Sequence, residues 1–395
     1  MTSGKFDVIV IGGGLFGAAT ASALVKDGAS ILLVEARKKH HTEGSSHGHS
    51  RIVRTLRSES LVFGEMARES FQRMQALNTP DRSVVRPVEA LFMMSTASLA
   101  FRNLTAADPL AKVFNSAEVF DRWRLKIEEG WAGIVDNTSG VMDPAALLET
   151  FYEDIGNDHI LWETDVTSWH TNSSEVTVTT SNGETFQASK LVIAAGGWLP
   201  QLLERGSVNA ADKERLSRLK LERIPLFYFD YPERMEPLIP VTLFDDAEPN
   251  MFGMPEFDQA PTSLDRPRYL KVGFHQGTLL TQPSDAGQTV HYLEQRYAIE
   301  YMEKLLGYRP NLHHTSICLY AMPPDLRKPG DQTPYNELPL LGPLLRTPRV
   351  YLAAYGGGVC AKHSLVLGRQ LGKLVQGKAT QYKMHEFDPQ RLMRA

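Results

Sequence analysis

The residues best placed to do chemistry begin near the N-terminus, with Gly12-Gly13-Gly14-Leu15-Phe16-Gly17. An apolar run from Phe6 to Ile11 precedes them, and an Ala-rich stretch to Lys26 follows. After Gly28 a second apolar run, Ile31-Leu32-Leu33-Val34, ends on Glu35. The order strand, glycine turn, helix, strand, acid is that of a dinucleotide-binding unit. Gly12 permits the tight turn, Gly14 lets the backbone approach a pyrophosphate, and Gly17 lets helix and strand pack closely. The helix opening at Leu15 and Phe16 offers free N–H groups to phosphates. Glu35 stands where an acid can accept hydrogen bonds from a ribose. The fingerprint leaves open whether the dinucleotide is NAD or FAD.

Four further stretches carry reactive residue types. The first is Gly44-Ser45-Ser46-His47-Gly48-His49-Ser50-Arg51-Ile52-Val53-Arg54, a polar turn with two arginines three apart. A guanidinium can clamp a carboxylate through two parallel hydrogen bonds; a solvated basic loop would have the same charges. The second is Tyr269-Leu270-Lys271-Val272-Gly273-Phe274-His275. As a strand it places Leu270, Val272 and Phe274 on one face and Lys271 and Gly273 on the other. The third contains Cys318 and Tyr320, the fourth Gly356-Gly357-Gly358, Cys360 and Lys362 ahead of a helix. Two cysteines in 395 residues make no disulfide framework, so each needs its own explanation. No metal cluster and no Ser-His-Asp arrangement competes with these stretches.

The elements that must position these residues can be read along the chain. Ser58 to Leu77 has helical spacing, Arg86 to Met94 reads as one strand, and Pro144 to Ile155 is a helix capped by Asp143. Ile160 to Ala188 is β-rich, with a hairpin turn at Asn182-Gly183. Lys190 to Trp198 is a buried strand ending in glycines. Ile224 to His275 is rich in Phe, Tyr and Pro and reads as a mixed or antiparallel sheet. Val290 to Leu306 is helical, Asp325 to Asn336 is a polar loop, Val350 to Ala354 is a strand, and Ser364 to Gln376 is a helix. Dinucleotide segments at the beginning, middle and end, with other segments between, are more typical of a flavoprotein than of a simple NAD dehydrogenase.

Bulk properties exclude other classes. Hydrophobic content of 42% and charged content of 22% are ordinary for a globular protein. A net charge of −4 gives no reason to expect nucleic acid or an anionic membrane as partner. No apolar run is long enough to span a bilayer, and the N-terminus has no secretory signal pattern. A cytoplasmic location with reduced cysteines is expected.

Taken together, these stretches resemble the D-amino-acid-oxidase superfamily of FAD enzymes, and within it the monomeric sarcosine oxidase and N-methyltryptophan oxidase group. The resemblance implies an α/β fold: a Rossmann-like FAD-binding domain interleaved with an α+β substrate domain containing a large mixed or antiparallel sheet. Residues 1–85, 146–222 and 321–395 would belong to the first, and 86–145 and 223–320 to the second. It implies FAD tethered through Cys318 as a thioether, with Gly12, Gly14, Leu15, Phe16, Gly17, Glu35, Ser45, Arg51, Gly357, Gly358 and Lys362 around the cofactor. It gives Lys271 the task of stabilising the anion formed as O₂ is reduced, and sets Arg51, His47 and His275 beside it as catalytic candidates. Arg54 and Lys362 would orient a substrate carboxylate, with Phe252 and Tyr320 as pocket walls. The implied reaction oxidises a secondary amine or N-methyl amino acid to an imine and reduces O₂ to H₂O₂. Runner-up readings are a bulkier or cyclic amino-acid substrate, and a dehydrogenase with another electron acceptor. The expected partners are a small-molecule amine and O₂, and the expected state is a monomer. The chain departs from the group in three places: the loop after Asp325, Phe252 where a Tyr is common, and Gly358-Val359-Cys360-Ala361 where a His is common.

Overall fold

The computed structural model describes residues 5–56, 61–107, 111–232, 238–244, 250–257, 266–275, 277–323 and 338–392. The loop from Asp325 to Asn336 lies outside them, as does the start of the helix expected from Ser58.

An eight-stranded sheet has a parallel centre. Strand β1 (Lys5–Ile11) lies between β2 (Ile31–Val34) and the C-terminal part of Thr185–Ile193, with Ile160–Leu161 beyond β2 and Val350–Ala354 beyond Ile193. These runs are buried on both faces, which is why they read as continuous apolar segments rather than alternating ones. Helix α1 (Leu15–Lys26) covers one face, and Ser364–Gln376 packs on it closely. A Cβ on Gly368 would lie 2.6 Å from Ala19 Cβ, so only glycine permits that approach. The strand order reverses at β1, so the crevice outside its C-terminal end is the expected ligand site of such a sheet. The hairpin at Asn182-Gly183 forms as expected, with Gly183 at φ +82°.

A nine-stranded mixed sheet carries the rest of the chemistry. Its strands are antiparallel apart from the pair Ala90–Ser95 and Val241–Phe244. Near one edge, Lys220–Asp230 pairs with Pro267–Phe274 on one side and with the edge strand Leu312–Met322 on the other. Cys318 is thereby opposite Ile224, and Lys271 opposite Tyr228.

Two expectations need correcting. Arg86 to Met94 is not one strand: Val85–Pro87 joins a small sheet with Arg51–Val53 and Gly140–Met142, and Ala90–Ser95 enters the large one. Pro87 has no N–H for a ladder, and Val88 N donates to Ser139 O at 3.2 Å, turning the chain between sheets. The helix expected from Val290 begins at Tyr292, because the His291 ring accepts Leu293 N at 3.2 Å and Glu294 closes a capping box. No described helix is long and apolar enough to cross a membrane.

Candidate active site

The glycine turn has the geometry its spacing demands. Gly12 has φ +104°, and a Cβ there would lie 2.4 Å from Ala194 O. A Cβ on Gly17 would lie 1.9 Å from Gly12 O. Glu35 is buried at the end of β2, accepting Gly13 N at 2.7 Å and Arg37 N at 2.8 Å. Ser46 was not singled out in the sequence, yet its Oγ accepts Leu15 N at 3.1 Å at the start of α1.

A cavity of about 310 Å³ starts at this turn and ends at the large sheet. Gly12, Gly14, Leu15, Phe16 and Glu35 line it together with Ser45, Arg51, Cys318, Gly357 and Gly358. Gly17 packs beneath the turn and does not line it. Ser45 Oγ donates to Leu319 O, and Gly357 N donates to Ala321 O at 3.0 Å. Both glycine-bearing loops are thus tied to the strand that carries Cys318. A Cβ on Gly358 would stand 2.5 Å from the Tyr320 ring, so this turn must also be glycine. The cradle fits FAD by its donor set: an acid at the ribose end, a helix start with no side chain on Gly14, and a buried thiol at the far end.

A smaller pocket of about 60 Å³ shares Arg51, Cys318, Tyr320 and Gly358 with that cavity. Arg54, Lys362, Lys271, His275 and Phe252 also line it. Residues more than 300 positions apart in the chain therefore meet in one place. Arg51 is fixed by Ser45 O at 2.8 Å and His47 O at 2.7 Å, with one guanidinium nitrogen 3.9 Å from Cys318 Sγ. Arg54 follows the strand Arg51–Val53, and the next residues are anchored by buried Asp136, which accepts Thr55 N and Leu56 N at 2.8 Å each. Asp136 has no motif around it and could not have been found from sequence. Lys362 is buried in a 3-10 turn just before Ser364–Gln376. Phe252 tilts against His275 with ring centroids 5.1 Å apart, and a Cβ on Gly273 would lie 2.4 Å from its ring.

Lys271 is 2% exposed; its Nζ donates to Ser50 O at 3.0 Å and lies 5.5 Å over the Tyr228 ring. Burial, and then the Arg51 charge, bring its pKa down from 10.5 to about 8. His47 does not reach the small pocket; it lines a separate cleft of about 600 Å³. Its ring is held neutral, with the pKa lowered to about 3 by burial and then by Arg51 and Lys271. Cys318 and Cys360 are both buried, and neither is in a disulfide.

The FAD dependent oxidoreductase family matches residues 7–374, and the chain belongs to it. The fold and the cradle thus define a flavin-dependent oxidoreductase. Among individual proteins, it is 24% identical to a putative sarcosine oxidase of Caenorhabditis elegans over 98% of both chains. It is 26% identical to the monomeric sarcosine oxidase of Streptomyces avermitilis, over 100% of this chain and 99% of that one. The L-proline dehydrogenase of P. horikoshii has the same fold, with a TM-score of 0.79 and 18% identity over 99% of this chain and 98% of that one.

Proposed function

We propose that this protein oxidises a small secondary amine bearing a carboxylate, an N-methyl amino acid by preference, and passes the electrons to O₂. The observation that carries the reading is the small pocket: Arg54, Lys362 and Lys271 around one space that opens beside Cys318. Relatives that bear the name sarcosine oxidase over their full length support it.

FAD, when bound, accepts a hydride equivalent from the carbon next to the amine. Everything else falls to the chain. Glu35 holds the ribose, and the start of α1 faces the phosphates. Arg54 and Lys362 bind the substrate carboxylate, and that pairing sets which carbon is presented. Phe252, Met254, Leu226 and Leu243 form the apolar wall for the N-alkyl group and keep water off it. Lys271 supplies a fixed positive charge where O₂ becomes anionic. Arg51 lies beside Cys318, 3.9 Å from its Sγ, and Cys318 is the proposed thioether tether. Ser45, Gly357, Gly358 and Tyr320 shape the ring end of the cradle, and His275 backs Phe252. His47 is assigned no proton-transfer role, since burial holds its ring neutral and it does not line the small pocket. Segments 1–85, 146–222 and 321–395 are assigned to the cofactor and 86–145 and 223–320 to the substrate.

The test is peroxide release against a panel of N-methyl, cyclic and unmodified amino acids. Turnover of N-methyl amino acids above the others is expected. Turnover only with an artificial electron acceptor, and no peroxide, would replace the oxidase reading by a dehydrogenase one.

A further inference from the structure

Glu256 is an interior carboxylate that none of the roles above uses. It is 7% exposed, on the strand Met251–Phe257. In the register with Pro267–Phe274, Met254 is opposite Lys271 and Glu256 opposite Tyr269. Opposed residues of an antiparallel pair share a face, so Glu256 lies diagonally across from Lys271 on the same face of the sheet. One residue joins the two. Ser50, fully buried, donates its Oγ to Glu256 Oε2, and its carbonyl accepts Lys271 Nζ at 3.0 Å.

A buried ammonium needs a countercharge, because desolvation favours its neutral form. Arg51, at the start of the strand Arg51–Val53, opposes the charge on Lys271. The His47 ring beside it is neutral, and Tyr228 beneath Nζ is kept protonated by burial. Negative charge comes first from Glu256, ahead of Asp143. The His49 pKa is raised, first by its hydrogen bond to Asp143 and in smaller part by Glu256, whereas the His314 pKa is lowered by burial and His313, which the charge of Glu256 offsets only in part.

We propose that Glu256 is the positioning residue of the oxygen reaction: it is the countercharge of Lys271 and, through the Ser50 hydroxyl, it aims the carbonyl that the ammonium binds. The inference rests on the reading of Lys271 as the cation that meets oxygen. Glu256 touches neither amine nor oxygen. It acts by keeping Lys271 protonated across the pH range in which the enzyme works.

The decisive variant is Glu256→Gln, which removes the charge and retains a partner for Ser50. Two readouts are taken on the holoenzyme. The first is NMR titration of lysine side chains labelled at Cε and Nζ, with the Lys271 signal assigned by its absence in Lys271→Met. The second is the pH profile of the reaction of the reduced enzyme with O₂. Both midpoints are expected to fall by about one pH unit or more, the low end of what an opposite charge at close range does. Anaerobic reduction by substrate should keep its wild-type rate. Glu256→Ser, smaller and neutral, is judged by the same readouts if the Gln variant does not fold. A Lys271 midpoint equal to wild type in the neutral variants overturns the inference. If instead Lys271→Met reacts with O₂ at the wild-type rate, the role of Lys271 fails, and the NMR midpoint still judges Glu256.

Discussion

Replacing Lys271 with Met should change how stability responds to pH, and only above about pH 8. The ammonium is wholly buried, and its pKa falls from 10.5 to about 8, through desolvation first and the Arg51 charge second. Below pH 8 folded and unfolded chains both hold the proton, so the lysine's contribution is flat and at its least favourable. Between pH 8 and 10.5 the unfolded chain holds a proton that the folded chain has lost. Stability therefore rises with pH across that window. The slope approaches about 1.4 kcal/mol per pH unit, and over the window the gain is about 3 kcal/mol. Met matches the stem in length and does not titrate, so groups common to both proteins cancel in the difference. The assay is urea unfolding of wild type and Lys271→Met from pH 7 to 10. Wild-type stability minus variant stability should stay level to about pH 8 and then climb. Parallel curves throughout would refute the account of Lys271 as a buried, strained cation. The same proton loss should slow the oxygen reaction of the wild type as pH rises through about 8.

Other outcomes follow from the cradle and the pocket. Denatured, washed wild-type protein should stay yellow with flavin on the peptide containing Cys318, whereas Cys318→Ala should release its colour on denaturation; release from wild type would refute the tether. Gly17→Ala puts a Cβ 1.9 Å from Gly12 O, so it should cost about 3 kcal/mol or more of unfolding free energy and lower FAD retention; an unchanged melting temperature would contradict the close helix–strand contact. Arg54→Lys should raise KM for a carboxylate substrate about tenfold or more, since a point charge replaces a two-pronged clamp; an equal rise for a substrate lacking the carboxylate would remove that role.

Local patterning made the cofactor half legible. Gly12 to Gly17 and Glu35 lie within one short unit whose every residue has a backbone reason, and the helix Pro144–Ile155 announced itself by Asp143 and its proline. The helix Ser364–Gln376, expected after the strand Val350–Ala354 and its glycine turn, forms with those bounds. The strand expected over Arg86–Met94 failed because two sheets claim its halves, a choice made by partners far away in sequence. His47, which the resemblance sets beside Lys271, lines the larger cleft and not the small pocket.

The amino-acid order alone determined the dinucleotide unit, the interleaving of its segments, and the residue types able to clamp a carboxylate or meet oxygen. Those signals are local, carried by spacing and backbone demands. The tertiary structure alone decided that Arg54, Lys271, Cys318 and Lys362 share one pocket, that Asp136 anchors the Arg54 segment, and that Glu256 reaches Lys271 through Ser50. Such meetings depend on strand register and on loops tied to distant strands, and neither leaves a periodic trace in the chain.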